Sequence, residues 1–117
     1  MTAKEQLNKD FDRLNLEKFE GKLPKYEVRL RSMRSFGNCN WIEKVITINP
    51  NHSDESIANI LLHEMIHAEL HRRGFRNAGH PIRFWRMFAE KGGVITEINK
   101  ELFAKARTVV AERNKIK

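Results

Sequence analysis

The feature that most constrains this chain is an apolar segment, residues 61–70, which also carries two histidines and two glutamates. Apolar residues before and within it recur on nearly every side of a helix, which predicts a helix buried in the core. His63 and His67 are four residues apart, so both imidazoles project from one helical face and can bind one metal ion. Glu64 lies beside them, where a carboxylate can activate a water molecule on the metal. The segment therefore predicts a catalytic zinc site.

The simpler interpretation is that these are ordinary surface or core side chains. Two histidines on a helix are often solvated or hydrogen-bonded, and a glutamate between them can be a solvated charge. The apolar surroundings favour the metal site, because a buried helix offers little solvent and a buried polar group needs a partner. Glu69 is not expected to join the site, since it lies two positions beyond His67 and points to another face of the helix.

A third metal ligand is expected after this helix, because catalytic zinc usually has three protein ligands and one position for water. His80 is the first candidate, since the flanking glycine and proline indicate that the helix has ended and the chain turns back. His71 is the alternative, because it continues the four-residue spacing. Three ligands on one straight helix would span roughly 11 Å, which is too far for one ion with bonds of about 2 Å. The sequence therefore favours His63, His67 and His80.

Length and composition indicate one soluble globular domain, residues 1–117, with 40% hydrophobic and 32% charged residues. No apolar run is long enough to span a membrane, and the first residues are polar without a signal-peptide core. We therefore expect an intracellular protein, cytoplasmic or, in a eukaryote, nuclear. The single cysteine, Cys39, excludes an internal disulfide and a cysteine-based zinc finger. Cys39 is expected to be buried, and a thiol near the site is the alternative.

The charge of the chain favours polyanionic partners. The formal net charge is +7 and the pI is about 9.9, and a positive surface attracts phosphate. Arg72, Arg73 and Arg76 cluster around Phe75 beside the predicted site. Cations interleaved with an aromatic ring can bind single-stranded nucleic acid by phosphate contact and base stacking. We therefore expect DNA, preferably single-stranded, as a partner, and a solvated basic face is the alternative.

The first half of the chain predicts a helix and a small sheet. Leucine and phenylalanine recur at helical spacing among charges over residues 3–19, which indicates an amphipathic helix. Apolar and polar residues alternate over residues 26–31 and 45–48, which indicates two strands. Residues 35–40 between them are expected to form a turn or a shorter strand.

The second half of the chain predicts three helices. Ser53 or Asp54 is expected to cap the metal-site helix, because either side chain can accept a hydrogen bond from a first-turn amide. A dense apolar helix follows over residues 82–88, and two glycines end it. Its aromatic residues are expected to belong to the core. Residues 94–117 predict a C-terminal helix that starts at Thr96 and has a basic end.

Several short motifs together resemble the SprT-like metalloprotease domain, whose eukaryotic members include Spartan. The resemblance spans about residues 7–90, and its most specific part is residues 61–68. The other matching motifs are Phe19-x-Gly21-Lys22-Leu23-Pro24, Gly37-x-Cys39, Gly79-His80 and Phe84.

This resemblance implies a fold, a metal and an activity. The fold would be α+β and minigluzincin-like, with a small sheet packed against an N-terminal helix, the zinc-site helix and C-terminal helices. One Zn²⁺ ion would be held by the histidines that match His63, His67 and His80, with Glu64 as catalytic base. For Spartan-like members it further implies DNA-dependent proteolysis of proteins crosslinked to DNA, which is a repair activity.

Two departures from the family pattern bear on these implications. Many members carry a cysteine-rich zinc module, which a chain with only Cys39 cannot build, and Pro81 stands where glycine is common. Basic surface on the protease domain, or a partner, would have to replace the missing DNA-binding element.

Two other functions are compatible with the motif. One is a basic nucleic-acid-binding module in which zinc only stabilises the fold, and the other is a zinc hydrolase of a non-peptide substrate. Glu64 disfavours the first, because a structural site needs no base and usually has a fourth protein ligand. For a peptide substrate, we expect an extended segment to pair with an edge of the sheet, at the strand over residues 45–48.

Overall fold

The structure of the protein is a computed structural model that describes residues 1–51, 56–76, 79–96, 100 and 103–104. In chain order its elements are α1 (Ala3–Phe19), β1 (Glu27–Leu30), β2 (Gly37–Asn40), β3 (Val45–Ile48), α2 (Ile57–Arg72) and α3 (Ile82–Glu90). The predicted α+β class is confirmed, and the segment over residues 35–40 contains a short strand. Most of the predicted helix from Thr96 lies outside the described residues. Within those residues, no helix is both long and apolar enough for a membrane span.

The N-cap of α2 is Ser56, whose hydroxyl accepts a hydrogen bond from the backbone N–H of Asn59 at 3.1 Å. The predicted cap, Ser53 or Asp54, was wrong, because α2 begins at Ile57 and the capping position is the residue directly before it. Those two residues lie outside the described part of the chain.

The sheet has the strand order β1-β3-β2, with β1 parallel and β2 antiparallel to β3. The expectation that a peptide pairs with the strand over residues 45–48 was wrong, because this strand is β3 and both its sides are occupied. Its composition explains the central position, since Val45, Ile46 and Ile48 are all buried. A strand that is apolar on both faces belongs in the middle of a sheet. The edges are β1 and β2.

The core lies between the sheet and the helices. The helix α1 is fastened to β1 by Asn8, whose side chain donates to the Val28 carbonyl at 3.0 Å and accepts from the Val28 N–H at 2.9 Å. The helix α2 packs against α1, β2, β3 and α3. The fully buried residues at this centre include Ile46, Ile48, Ile60, Leu61, Met65, Ile66, Phe84, Trp85 and Phe88. Burying each large apolar side chain contributes about 1.5–3 kcal/mol, so α2 is held on several sides.

Candidate metal centre

The helix α2 runs through the core with little exposed surface. All residues from 60 to 70 are buried except His63, which is half-buried. Polar residues in such a helix are costly unless they have partners. The surroundings of His63, Glu64, His67 and Glu69 therefore decide what the helix does.

After α2 the chain reverses, and His80 returns to the same face as the two helix histidines. Gly74, with φ of 95°, lies in this turn, where its left-handed backbone needs no side chain. The Nε2 atom of His80 lies 3.0 Å from Nε2 of His63 and 3.2 Å from Nε2 of His67. Four ligands around tetrahedral zinc, with bonds of 2.0–2.1 Å, are about 3.3 Å apart. The two distances to His80 match the spacing that one such ion requires, and all three ligand atoms lie within 4.8 Å of one another.

The donor set itself also fits a metal ion. In the part of the chain that the structure describes, His63, His67 and His80 are the one group of three or more potential metal ligands. Nitrogen atoms this close would turn lone pairs toward each other unless a proton or a cation lies between them. A fourth protein ligand is absent from this group, which is the arrangement of catalytic rather than structural zinc.

Burial keeps the three rings neutral. Burial, together with the neighbouring histidines, lowers the pKa of His63 to about 2 and that of His67 to about 3. Burial also lowers the pKa of His80. Since only a neutral imidazole binds a metal, protons do not compete for these sites near neutral pH.

The alternative third ligand, His71, lies elsewhere. Its ring stacks on Trp41, with centroids 4.4 Å apart and planes at 17°. Trp41 follows β2, so the stack joins the β2–β3 turn to the end of α2. His71 is not part of the histidine group, as the length of two helical turns predicts.

An aromatic wall from α3 supports the three histidines. The Phe84 ring centroid lies 4.7, 4.5 and 4.8 Å from those of His63, His67 and His80. Trp85 stacks on His80 with centroids 5.5 Å apart, and its indole N–H donates to the His80 carbonyl at 3.1 Å. The sequence prediction placed these aromatics in the core, which is confirmed, but it missed their contact with the histidines. The position of Phe84 and Trp85 shortly after His80 in the sequence could have indicated this contact.

Glu64 belongs to α2, and its side chain faces the edge strand β2. It is 5% exposed, and its Oε2 atom approaches the backbone of Gly37. Cys39, two residues along β2, is partly buried and packs against the core. Burial and, to a smaller extent, the charge of Glu64 raise the pKa of the Cys39 thiol to about 12. The thiol is therefore partly buried, and it is close enough to Glu64 for the carboxylate charge to affect its pKa.

The basic cluster at the end of α2 has a structural role that the sequence did not reveal. Glu69 is 1% exposed. The Nε atom of Arg72 lies 2.6 Å and that of Arg73 lies 3.4 Å from its Oε1 atom. Arg76 is exposed, and the exposed Phe75 ring has the guanidinium of Arg83 over it at 3.9 Å. Two of the three predicted DNA-contacting arginines thus neutralise a buried carboxylate.

Comparisons with known proteins agree with this site. The sequence matches the SprT-like family over residues 7–106. No curated protein gives a significant sequence match. Among solved structures, the chain is similar to the metallopeptidase zymogen of Pyrococcus abyssi abylysin, with 25% sequence identity and a TM-score of 0.53, over 92% of this chain and 94% of that one. These similarities support a metallopeptidase with the α+β, minigluzincin-like fold that the sequence predicted.

Proposed function

This chain belongs to the SprT-like family, and we propose that it is a zinc-dependent metallopeptidase whose metal is held by His63, His67 and His80. The observation that carries the proposal is that Nε2 of His80 lies 3.0 Å from Nε2 of His63 and 3.2 Å from Nε2 of His67, with all three ligand atoms within 4.8 Å of one another. When bound, zinc supplies Lewis acidity, which lowers the pKa of water and polarises a scissile carbonyl. The chain's own residues orient the peptide and move the proton.

Glu64 is the proposed general base. It follows His63 directly, and its burial between α2 and β2 places its carboxylate in a water-poor environment. One carboxylate oxygen accepts a proton from the attacking water, and the same group returns that proton to the leaving amine. Glu64→Gln keeps the shape of the side chain and removes the base, so it should abolish cleavage without loss of zinc.

The proposed substrate is an extended segment of a protein. Such a segment can add to the edge strand β2, which pairs with β3 on one side within the described residues. Main-chain hydrogen bonds would then hold the peptide, as in other cases of strand addition. Because Gly37 at the start of β2 lies against Glu64, a peptide on this edge would pass close to the base.

We further propose that the substrates are DNA-associated proteins, including proteins crosslinked to DNA. Support comes from the net charge of +7 and from the basic cluster Arg72, Arg73 and Arg76, which begins at the end of the helix that carries His63 and His67. The ion pairs with Glu69 run through Nε of Arg72 and Arg73, and an arginine has five N–H donors. Pairing with Glu69 is thus compatible with phosphate contact by the terminal nitrogens.

The test is proteolysis of a DNA-binding protein with and without single-stranded DNA. Zinc-loaded wild type should cleave, DNA should accelerate the cleavage, and Glu64→Gln should bind zinc and DNA without cleaving. Cleavage without any effect of DNA would remove the proposed substrate class and leave the peptidase. Zinc and DNA binding without cleavage of any protein would favour the nucleic-acid-binding module, and turnover of a small ester or amide alone would favour a non-peptide hydrolase.

A further inference from the structure

Gly37, the first residue of β2, stands where a side chain has no room. A Cβ atom there would lie 2.9 Å from the Thr47 carbonyl oxygen, 3.0 Å from Oε2 of Glu64 and 3.1 Å from Cγ2 of Ile60. Real Cβ atoms rarely approach other atoms this closely. The three neighbours belong to the next strand and to α2, so the glycine lies at the meeting point of strand and helix.

This glycine is required for space and not for backbone conformation. Gly21, Gly74 and Gly92 have φ of 70°, 95° and 94°, which are left-handed values that L-residues avoid. Gly37 does not have such a value. At Gly79, a Cβ would meet nothing within 4 Å. The structure therefore contains glycines of both kinds, and Gly37 is one whose missing side chain leaves room for neighbouring atoms.

Of the three neighbours of Gly37, the Glu64 carboxylate is the one that can yield. The Thr47 carbonyl is backbone of the central strand, in the β2–β3 register that pairs Gly37 with Ile48 and Asn38 with Thr47. Ile60 is 1% exposed in the core, where displacement of one methyl group affects the packing. A carboxylate at the end of a flexible side chain can rotate away at lower cost.

We propose that Gly37 is a positioning residue for Glu64: because it has no side chain, β2 lies directly against the carboxylate and limits where that carboxylate can stand. This inference rests on the proposed role of Glu64 as base. A methyl group at residue 37 would require Oε2 to move outward by a few tenths of an ångström. A displacement of about 1 Å can cost about 100-fold in rate, so this smaller shift of the base should cost roughly 10-fold. The same strand is the proposed peptide-binding edge, so Gly37 fixes the distance between the peptide and its base.

The first experiment compares Gly37→Ala with Gly79→Ala, which adds the same methyl group in open space. With zinc-loaded protein, Gly37→Ala should lower kcat by roughly 10-fold, with little change in KM or zinc content. The acid limb of its pH–rate profile should also move, because the environment of the base changes. Gly79→Ala should behave as wild type. A folded Gly37→Ala variant with wild-type kcat and pH profile would overturn the inference.

A second experiment does not depend on activity. The loss of thermal stability caused by Gly37→Ala is measured in the wild-type background and in a Glu64→Ala background, as a double-mutant cycle. The loss should be smaller without the Glu64 carboxylate, because one of the three close contacts is gone. If Gly37→Ala folds only together with Glu64→Ala, that result also supports the contact. Equal losses, or failure to fold in both backgrounds, would show that Thr47 and Ile60 dominate and would overturn the inference.

The two experiments separate this inference from the proposed function. If zinc-loaded wild type cleaves no protein, the peptidase proposal fails, while the stability cycle still decides whether Gly37 limits the position of Glu64. If wild type cleaves and the cycle shows no coupling, the peptidase stands and the inference on Gly37 fails.

Discussion

The buried carboxylate of Glu69 provides a quantitative test of how the end of α2 is held. Arg72 and Arg73 both pair with it, at 2.6 and 3.4 Å, and their side chains are 35% and 49% exposed. A hydrogen bond between a charged pair contributes about 1.5–3 kcal/mol, and partial exposure places Arg72 at the low end of this range. We therefore expect Arg72→Ala to lower the free energy of unfolding by about 1.5 kcal/mol. The longer contact of Arg73 should contribute about 0.5–1 kcal/mol.

The double variant should lose more stability than the sum of the two single variants. When either arginine is present, Glu69 keeps a cationic partner. Removing both arginines leaves the buried carboxylate without these two partners. Breaking a buried ion pair in this way costs about 3–5 kcal/mol. The expected excess over additivity is therefore about 0.5–3 kcal/mol, which is the range found for coupled neighbours.

Urea unfolding of the zinc-loaded proteins, followed by tryptophan fluorescence, measures these differences. Arg76→Ala is the matched control, because Arg76 is exposed in the same cluster and should change stability by less than about 0.5 kcal/mol. Additive losses, or a double variant as stable as wild type, would refute the reasoning that Glu69 depends on these two arginines. The result also bears on tests of DNA binding, because a variant that replaces Arg72, Arg73 and Arg76 together would lose fold stability as well as the proposed phosphate contacts. Arg76→Ala alone tests DNA binding without that effect.

Three further predictions concern the metal centre and its surroundings. His80→Ala should lower zinc content, measured by metal analysis, while His71→Ala retains it; the reverse result would show that the third ligand is His71. Burial and Glu64 raise the pKa of Cys39 to about 12, so its thiol should react slowly with an alkylating reagent at pH 8 and rapidly after unfolding. For the same reason, the stability that the neutral thiol contributes should be lost as the pH rises above about 9, where the thiol of the unfolded chain ionises. Phe84→Ala should cost about 3–5 kcal/mol of stability and weaken zinc binding, as shown by zinc competition with a chelator, because the ring touches all three histidines.

The parts of this fold that the sequence predicted are those set by local physics. The buried helix follows from its apolar residues, and the common face of His63 and His67 follows from helical geometry. The central place of β3 was missed although its signal was present, because Val45, Ile46 and Ile48 are apolar on both faces of the strand. Alternation was the wrong criterion there, since a central strand next to a parallel neighbour reads as a continuous apolar run.

Other parts of the site depend on contacts between residues that are distant in sequence. Composition and local sequence patterns do not predict such contacts. A net charge of +7 includes Arg72 and Arg73 as if both were available to DNA, whereas in the fold both pair with Glu69. The helical position of Glu69 indicated only that its side chain does not face the metal site. In the same way, the pattern Gly37-x-Cys39 marks two residues of β2 without giving a reason for either. The reason for the glycine appears only when β2 is placed against α2, because the atom that needs its space belongs to Glu64, on another element of the fold. The proposed base and the proposed peptide-binding edge meet at Gly37. A substitution of this glycine should therefore lower the rate of catalysis and have little effect on metal binding.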